Sequence, residues 1–447
     1  MNSLFGTDGI RGVAGSFPLD EPTVYACARS LATQLERTLN RPPRVVTGRD
    51  TRESGRWIES IMTRGLRDQG AEVLSAGIIT TPGIAYLTRS QSLDAGVVIS
   101  ASHNPVPDNG IKIFSAAGTK LADQLERAIE EDIRRSPQIK NGLGLSWLDC
   151  DEDLRHRYTQ YLIHDIGQGL DLSDLRIVLD CAHGAAYEIA PEVFSALRAQ
   201  VQALAVEPDG KNINQNCGAV HIENLSQWIR SHDADLGIAF DGDADRALLV
   251  GRDGRVFDGD HIMFAAANFL KATGKLNNNL VVGTVMSNWG LEKGLQERGI
   301  TLHRTPVGDR YVLEKLLEHN GSLGGEQSGH IIFPHVSLAG DGMITALETL
   351  RIMKQTQCDL YELTQGFTQY PQLLINVPVS SKPPFESIPA IFSQQRAIEH
   401  ELEGRGRLLL RYSGTENKAR VMIEADDPEL VTKLANELAG TIRSYLG

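Results

Sequence analysis

The chain is predicted to be an α/β protein built from three related α/β domains with mixed sheets and a smaller C-terminal α+β domain. Three observations carry that prediction. The 43 glycines gather in tight clusters after short apolar runs, the punctuation of strands alternating with helices. One pattern, a strand leading into a helix and then into strand, polar loop and strand, occurs three times. At 447 residues, and about 150 residues per domain, there is room for several independent cores.

The elements follow in order. Pro22 comes after Asp20 and Glu21, and Val24, Leu31, Leu35 and Leu39 recur at helical spacing, so a capped helix is expected from about Pro22 to Leu39. RVVTG then reads as a short buried strand. SGRWIESIMTRGLRDQG reads as a helix with Ser54 as N-cap and Gly70 at its stop, and AEVLSAG as the next strand. The repeat begins at Val45, at Ile177 and at Leu280, so the units start roughly 130 and then about 100 residues apart. Each unit ends in strand, polar loop, strand: GVVISASHNPVPDNGIKIF, LGIAFDGDADRALLV and SLGGEQSGHIIF. After Gly366 the style changes. Five prolines (371, 378, 383, 384 and 389) precede a helix near Ser387–Glu403, the hairpin LLLRYSGTENKARVMIEA and a last helix from about Pro428. The expected domains are therefore 1–150, 151–252, 253–366 and 367–447.

Composition narrows the function. Hydrophobic residues make up 41% and charged residues 23%, which excludes a disordered or fibrous chain. No apolar run approaches the roughly 18 residues of a membrane span. The opening MNSLFGTDGIRG has no basic segment followed by an apolar one, so a cytoplasmic location is expected. Lys plus Arg is 44 and Asp plus Glu 57, a net charge of −13, which suits neither nucleic acid nor a membrane surface as partner. Anionic ligands remain open through focused arginines. Five scattered cysteines, never C-x-x-C, suit reduced thiols better than a disulfide frame or a zinc site.

Four loops can carry chemistry. In ISASHNP, Ser102 is either part of a polar turn or a serine held at a strand end as nucleophile or phosphate carrier. No G-x-S-x-G elbow surrounds it, so an α/β-hydrolase is not supported. In DGDADR, Asp241, Asp243 and Asp245 alternate, and an extended segment would turn all three carboxylates to one side. An all-oxygen cluster suits a hard ion, Mg²⁺ before Ca²⁺. An EF-hand is disfavoured, because its sixth and twelfth positions hold Arg246 and Arg252 and the flanks read as strands. In GGEQSGH, Glu326 and Ser328 can hydrogen-bond adjacent hydroxyl or amino groups. In RYSGTENKAR, Arg411 and Arg420 bracket Ser413, Gly414, Thr415 and Asn417, a set that suits a phosphate as well as an ordinary hairpin. A Walker A loop is absent. GTDGIRG and PVGDRYV read as turns when taken alone.

In order and spacing, these loops resemble the α-D-phosphohexomutase superfamily over nearly the whole chain. SASHNP with DNGIK downstream and DGDADR carry the resemblance. LFGTDGIRG, GEQSGH and SGTE are most similar to the branch that acts on glucosamine phosphates. The resemblance implies four domains around a central cleft, a phosphoserine at Ser102, and one Mg²⁺ held by Asp241, Asp243 and Asp245 with a phosphate oxygen on Ser102. It implies sugar contacts from Glu326 and Ser328, and a grip on the non-reacting phosphate from Arg411, Ser413, Gly414, Thr415 and Arg420. Arg11, His103, Lys112 and Arg246 would line the reacting end, with Lys112 or His103 as general base. Ala244 and Asn417 stand where many relatives have Gly and Pro. The implied reaction is isomerisation of D-glucosamine 6-phosphate to α-D-glucosamine 1-phosphate through a 1,6-bisphosphate, which also serves as primer, toward UDP-N-acetylglucosamine. The alternatives are a mutase for mannose or glucose phosphates, a Mg²⁺-dependent sugar phosphatase, and a non-catalytic sugar-phosphate-binding protein.

Overall fold

The computed structural model describes residues 4–6, 8–135, 144–413 and 417–447. Four sheets follow one another along the chain. The first contains β1 (Phe5–Gly6), β2 (Gly9–Val13), β3 (Arg44–Arg49), β4 (Glu72–Ile78), β5 (Ala95–Ile99) and β6 (Asp108–Ser115), in the order β1-β2-β6-β5-β3-β4. The second contains β7 (Arg176–Asp180), β8 (Gln200–Leu204), β9 (Leu236–Phe240), β10 (Ala247–Gly251) and β11 (Val256–Phe257), in the order β11-β10-β9-β7-β8. The third contains β12 (Leu280–Thr284), β13 (Thr301–Thr305), β14 (Gly324–Gly325) and β15 (Ile331–Ile332), in the order β13-β12-β14-β15.

The threefold repeat is present as topology. In each unit the first strand pairs in parallel with two neighbours, β3 with β4 and β5, β7 with β8 and β9, β12 with β13 and β14. The unit then closes on an antiparallel partner, β6, β10 or β15. The parallel pairs are crossed by helices, as such pairs require. The antiparallel partner follows through a short loop, and those three loops hold Ser102, the DGDADR aspartates and Glu326. Three equivalent corners therefore carry the unusual polar sequences. The second sheet runs on to Phe257, past residue 252.

The first helix spans Glu21–Leu39 with Asp20 as N-cap, its carboxylate accepting from the Thr23 N–H. The next spans Glu53–Arg67, so Ser54 lies inside its first turn and is not the cap; its hydroxyl instead accepts from Asn109 Nδ2. The fourth sheet, β16 (Gln372–Pro378), β17 (Gly406–Tyr412) and β18 (Lys418–Ala425), is antiparallel in the order β16-β18-β17. Pro378 ends an edge strand, where its missing N–H costs no ladder bond. Helices Pro389–Glu401 and Pro428–Leu446 cover the sheet.

One apolar core runs through the first three units, from Val46 and Val98 by way of Leu179 and Phe240 to Val281 and Leu347. The fourth has a core of its own around Val421, Ile423, Leu434 and Leu438. All five cysteines are free thiols. Among the described residues no helix is long and apolar enough to cross a membrane.

Candidate active site

After β5 the chain turns sharply. Ser102 is 1% exposed and sits at φ +51, a left-handed conformation that residues with a Cβ rarely adopt. Its hydroxyl donates to Asp241 and lies 3.3 Å from His103 Nδ1.

Asp241, Asp243 and Asp245 each offer a carboxylate oxygen, all within 4.8 Å of one another. They do not converge as an extended segment would turn them. The backbone folds back on itself, the Ala244 N–H donating to the Asp241 carbonyl at 3.0 Å, with Ala244 at φ +55. A left-handed residue between the ligands explains why glycine suits this position. Asp243 Oδ2 accepts the Thr81 hydroxyl at 2.5 Å and Lys112 Nζ at 2.8 Å. Lys112 also lies 3.2 Å from Asp245 and 3.1 Å from Asp8. The remaining oxygens, Oδ1 of Asp243 and Oδ1 of Asp245, are buried without a hydrogen-bond partner among the described residues.

Buried carboxylate oxygens that lack a hydrogen bond and face like neighbours are costly unless a cation joins them, and this set of hard oxygen donors can hold a metal ion. Burial pushes the Asp241 carboxyl well up, and Asp245 and Asp243 push it further. Burial opposes the charge on Lys112, but Asp243, Asp245 and Asp8 outweigh it and hold the amine well above its usual range. Lys112 thus sits as a cation among three carboxylates.

Beside this cluster opens a cavity of about 420 Å³, lined from the first three units. Arg11 and His103 come from the first, Arg246 from the second, and Glu326 from the third. Arg11 pairs with Asp8 and reaches Asn104 at 3.3 Å. The Arg246 N–H donates to Asp241 at 3.2 Å, while its guanidinium Nε is buried with no hydrogen-bond partner among the described residues. Burial and the cations Arg246 and Arg11 push the His103 imidazole down to about 4. Glu326 accepts the Gly308 N–H at 3.1 Å and the Ser328 hydroxyl at 3.3 Å, so Ser328 braces the carboxylate that faces the cavity.

His330, given no role by the sequence reading, also lines the cavity. Its Nδ1 lies 3.8 Å from Asp245 and its Nε2 3.8 Å from Asp309, residues far away along the chain. Burial works against its positive charge, but Asp245 and Asp309 outweigh it and raise the imidazole to about 9. Only its place at the end of GEQSGH hinted at this position.

Arg411 and Arg420 are direct cross-strand partners on β17 and β18. Like charges placed opposite each other suit an anion between them. Burial and Arg420 push the Arg411 guanidinium down. The Ser413 carbonyl accepts Lys382 Nζ at 2.7 Å. These residues do not line the cavity, and Gly414 and Thr415 lie outside the described residues.

A buried hydroxyl against three carboxylates able to hold a metal, beside a cavity walled by arginines and a sugar-sized set of hydrogen-bonding groups, is equipped for phosphoryl transfer. Models of phosphoglucomutase/phosphomannomutase α/β/α domains I, II and III match residues 2–140, 156–254 and 258–370, and the C-terminal domain matches 374–441. The chain belongs to this family, and it is an isomerase that moves a phosphoryl group within its substrate. Among curated relatives, the phosphoglucosamine mutase of Solibacter usitatus is 48% identical over 99% of both chains, and that of Koribacter versatilis is 44% identical over 100% of this chain and 98% of its own. A phosphoglucomutase/phosphomannomutase family protein from Burkholderia thailandensis superposes with a TM-score of 0.79 at 24% identity, covering 99% of this chain and 97% of its own. The N-acetylphosphoglucosamine mutase of Aspergillus fumigatus, solved with GlcNAc-6P and magnesium, gives 0.68 at 17%, covering 98% and 95%.

Proposed function

We propose that the chain interconverts D-glucosamine 6-phosphate and α-D-glucosamine 1-phosphate, with Ser102 as the phosphoryl carrier. The observation that carries the reading is the Ser102 hydroxyl turned onto Asp241 of the aspartate cluster, whose neighbours His103 and Asp245 line the same cavity as Glu326. Full-length kinship with phosphoglucosamine mutases supports the choice of sugar.

The aspartates suit Mg²⁺, the ion named with the Aspergillus structure, and when bound it would neutralise charge on the phosphoryl oxygens. The residues divide the remaining work. A free sugar hydroxyl attacks the phosphorus of phosphoserine 102. A P–O bond to the sugar forms as the bond to Ser102 Oγ breaks, and the hydroxyl proton passes to a base. His103, whose Nδ1 lies 3.3 Å from the Ser102 hydroxyl, is placed to act as that base, and Lys112, Arg11, Arg246 and the charged His330 serve as counter-charge. Glu326, braced by Ser328, orients the sugar hydroxyls. Arg411, Ser413, Gly414, Thr415 and Arg420 hold the other phosphate. The 1,6-bisphosphate then reverses and returns its second phosphoryl group to Ser102. The separate core of the fourth unit suits a body that loosens and recloses around the turning intermediate.

A panel of glucosamine, glucose and mannose phosphates, assayed with the charged enzyme, tests the choice of sugar. Glucosamine phosphate should lead in kcat/KM by at least about tenfold, roughly 1.4 kcal/mol of transition-state binding. Equal turnover of mannose phosphate would move the chain to the mannose/glucose branch of the family.

A further inference from the structure

The backbone of Ser102 is held as firmly as its hydroxyl. Arg52, at the start of the helix Glu53–Arg67, is 1% exposed and pairs through Nε with Asp50 at 2.9 Å. The rest of its fork goes to carbonyls of the serine loop: Nη2 to Ser102 and Asn104, both at 2.9 Å, and Nη1 to Pro105 at 2.9 Å. Asp50 also accepts the Ser100 hydroxyl at 2.7 Å, and that hydroxyl accepts the Ser102 N–H at 2.9 Å. The second unit adds Asn214, whose Nδ2 donates to the Ser102 carbonyl at 2.9 Å. Its Oδ1 is buried with no hydrogen-bond partner among the described residues, so donation alone orients the amide. The backbones are close here too, since a Cβ on Gly242 would stand 2.6 Å from the Ser102 carbonyl oxygen.

We infer that Arg52 and Asn214 are positioning residues for the nucleophile. Together they hold the Ser102 carbonyl while the residue stays at φ +51, and in that conformation Oγ is aimed at Asp241. Without these donors the carbonyl is a buried acceptor short of partners, and the loop relaxes toward negative φ, carrying Oγ off line. Because Asn214 belongs to the second unit, as the aspartates do, serine and metal cluster are brought into register by the same docking. Neither residue lines the cavity, so neither reads the sugar. The inference rests on Ser102 being the phosphoryl carrier.

The test uses full-length protein with Mg²⁺, charged by glucose 1,6-bisphosphate, with the phosphorylated fraction counted by intact mass. Asn214→Ala removes the donor, Asn214→Asp puts a carboxylate oxygen against carbonyls at unchanged size, and Arg52→Lys keeps a charge for Asp50 but loses the fork. Single-turnover transfer to sugar phosphate is expressed per phosphorylated molecule, so an unfolded fraction drops out. All three variants should transfer about a hundredfold more slowly with KM little changed, the cost of a misplaced reacting atom. The ³¹P resonance of the phosphoserine should also move. Should Arg52→Lys fail to fold, the Asn214 variants decide. Transfer at the wild-type rate with an unmoved resonance in Asn214→Ala would overturn the inference. A wild-type protein that never takes phosphate on Ser102 would instead overturn the nucleophile reading beneath it, and the mass measurement alone distinguishes the two.

Discussion

Replacing Asp243 by asparagine removes one of three clustered charges without changing side-chain size, and the structure dictates which way the amide must point. Thr81 and Lys112 both donate to Oδ2, at 2.5 and 2.8 Å, so an oxygen has to stay there. The amide nitrogen therefore takes the place of Oδ1, the oxygen left over for a cation, and turns N–H donors toward the ion. The loss is one charged ligand. A hydrogen bond to a charged group contributes about 1.5–3 kcal/mol, and a metal–carboxylate contact at least as much, so Mg²⁺ affinity and kcat/KM should each fall by at least about tenfold and up to a hundredfold or more. The metal-free protein responds differently. Repulsion from Asp241 and Asp245 is relieved, while Lys112 keeps Asp245 at 3.2 Å and Asp8 at 3.1 Å. Without metal, the melting temperature should hold or rise. Thermal melts in Mg²⁺ and in EDTA, beside kcat/KM, measure both halves. Wild type should melt higher in Mg²⁺ than in EDTA and lose activity in EDTA, and the variant should lose the Mg²⁺-dependent increment. A variant that keeps both that increment and wild-type kcat/KM would refute the reasoning, as would full activity of metal-free wild type.

Other perturbations follow from particular contacts. Arg420→Ala removes half of the cross-strand arginine pair and should raise KM about tenfold or more, with a smaller change in kcat; an unchanged KM removes Arg420 from the phosphate grip. Gly340→Ala would put a Cβ 2.2 Å from the His330 ring, so it should push the imidazole from the cavity and lower kcat at least about tenfold while circular dichroism stays native. Asp341 caps the helix Gly342–Thr356 and accepts the Tyr158 hydroxyl at 2.7 Å, and burial raises its carboxyl from 3.8 to about 6. The folded state keeps that proton longer than the unfolded chain, so wild-type stability falls as pH rises between those values. Asparagine caps as well but does not ionise, and the stability of Asp341→Asn relative to wild type should grow by roughly 2 kcal/mol from pH 4.5 to 7.5 in urea melts. A constant difference would exclude this proton.

What was legible in the sequence is what lies within one unit. The strand–loop–strand corners around Ser102, Asp241 and Glu326 stand out because apolar strands flank each polar run, and the three units repeat the same strand order. The grouping of the three aspartates was legible, but its cause was not: spacing suggests an extended segment, whereas a turn through left-handed Ala244 gathers them. Contacts made across units left little trace. His330 meets Asp245 and Asp309, and Arg52 and Asn214 act through a carbonyl that belongs to every residue type alike. Ser54 is a good capping residue but lies two positions past the observed N-cap, Arg52, whose side chain holds the serine loop instead.

Every step proposed for this site depends on Ser102 carrying the phosphoryl group. The most direct test is to charge the protein with a sugar bisphosphate, locate the modification by peptide mass, and mix the charged protein with an equal amount of glucosamine 6-phosphate. One phosphoryl group should be found on Ser102, and it should leave the protein as glucosamine 1,6-bisphosphate. Ser102→Ala should take up none and have no turnover while remaining folded. Turnover by Ser102→Ala at the wild-type rate would contradict that role for Ser102.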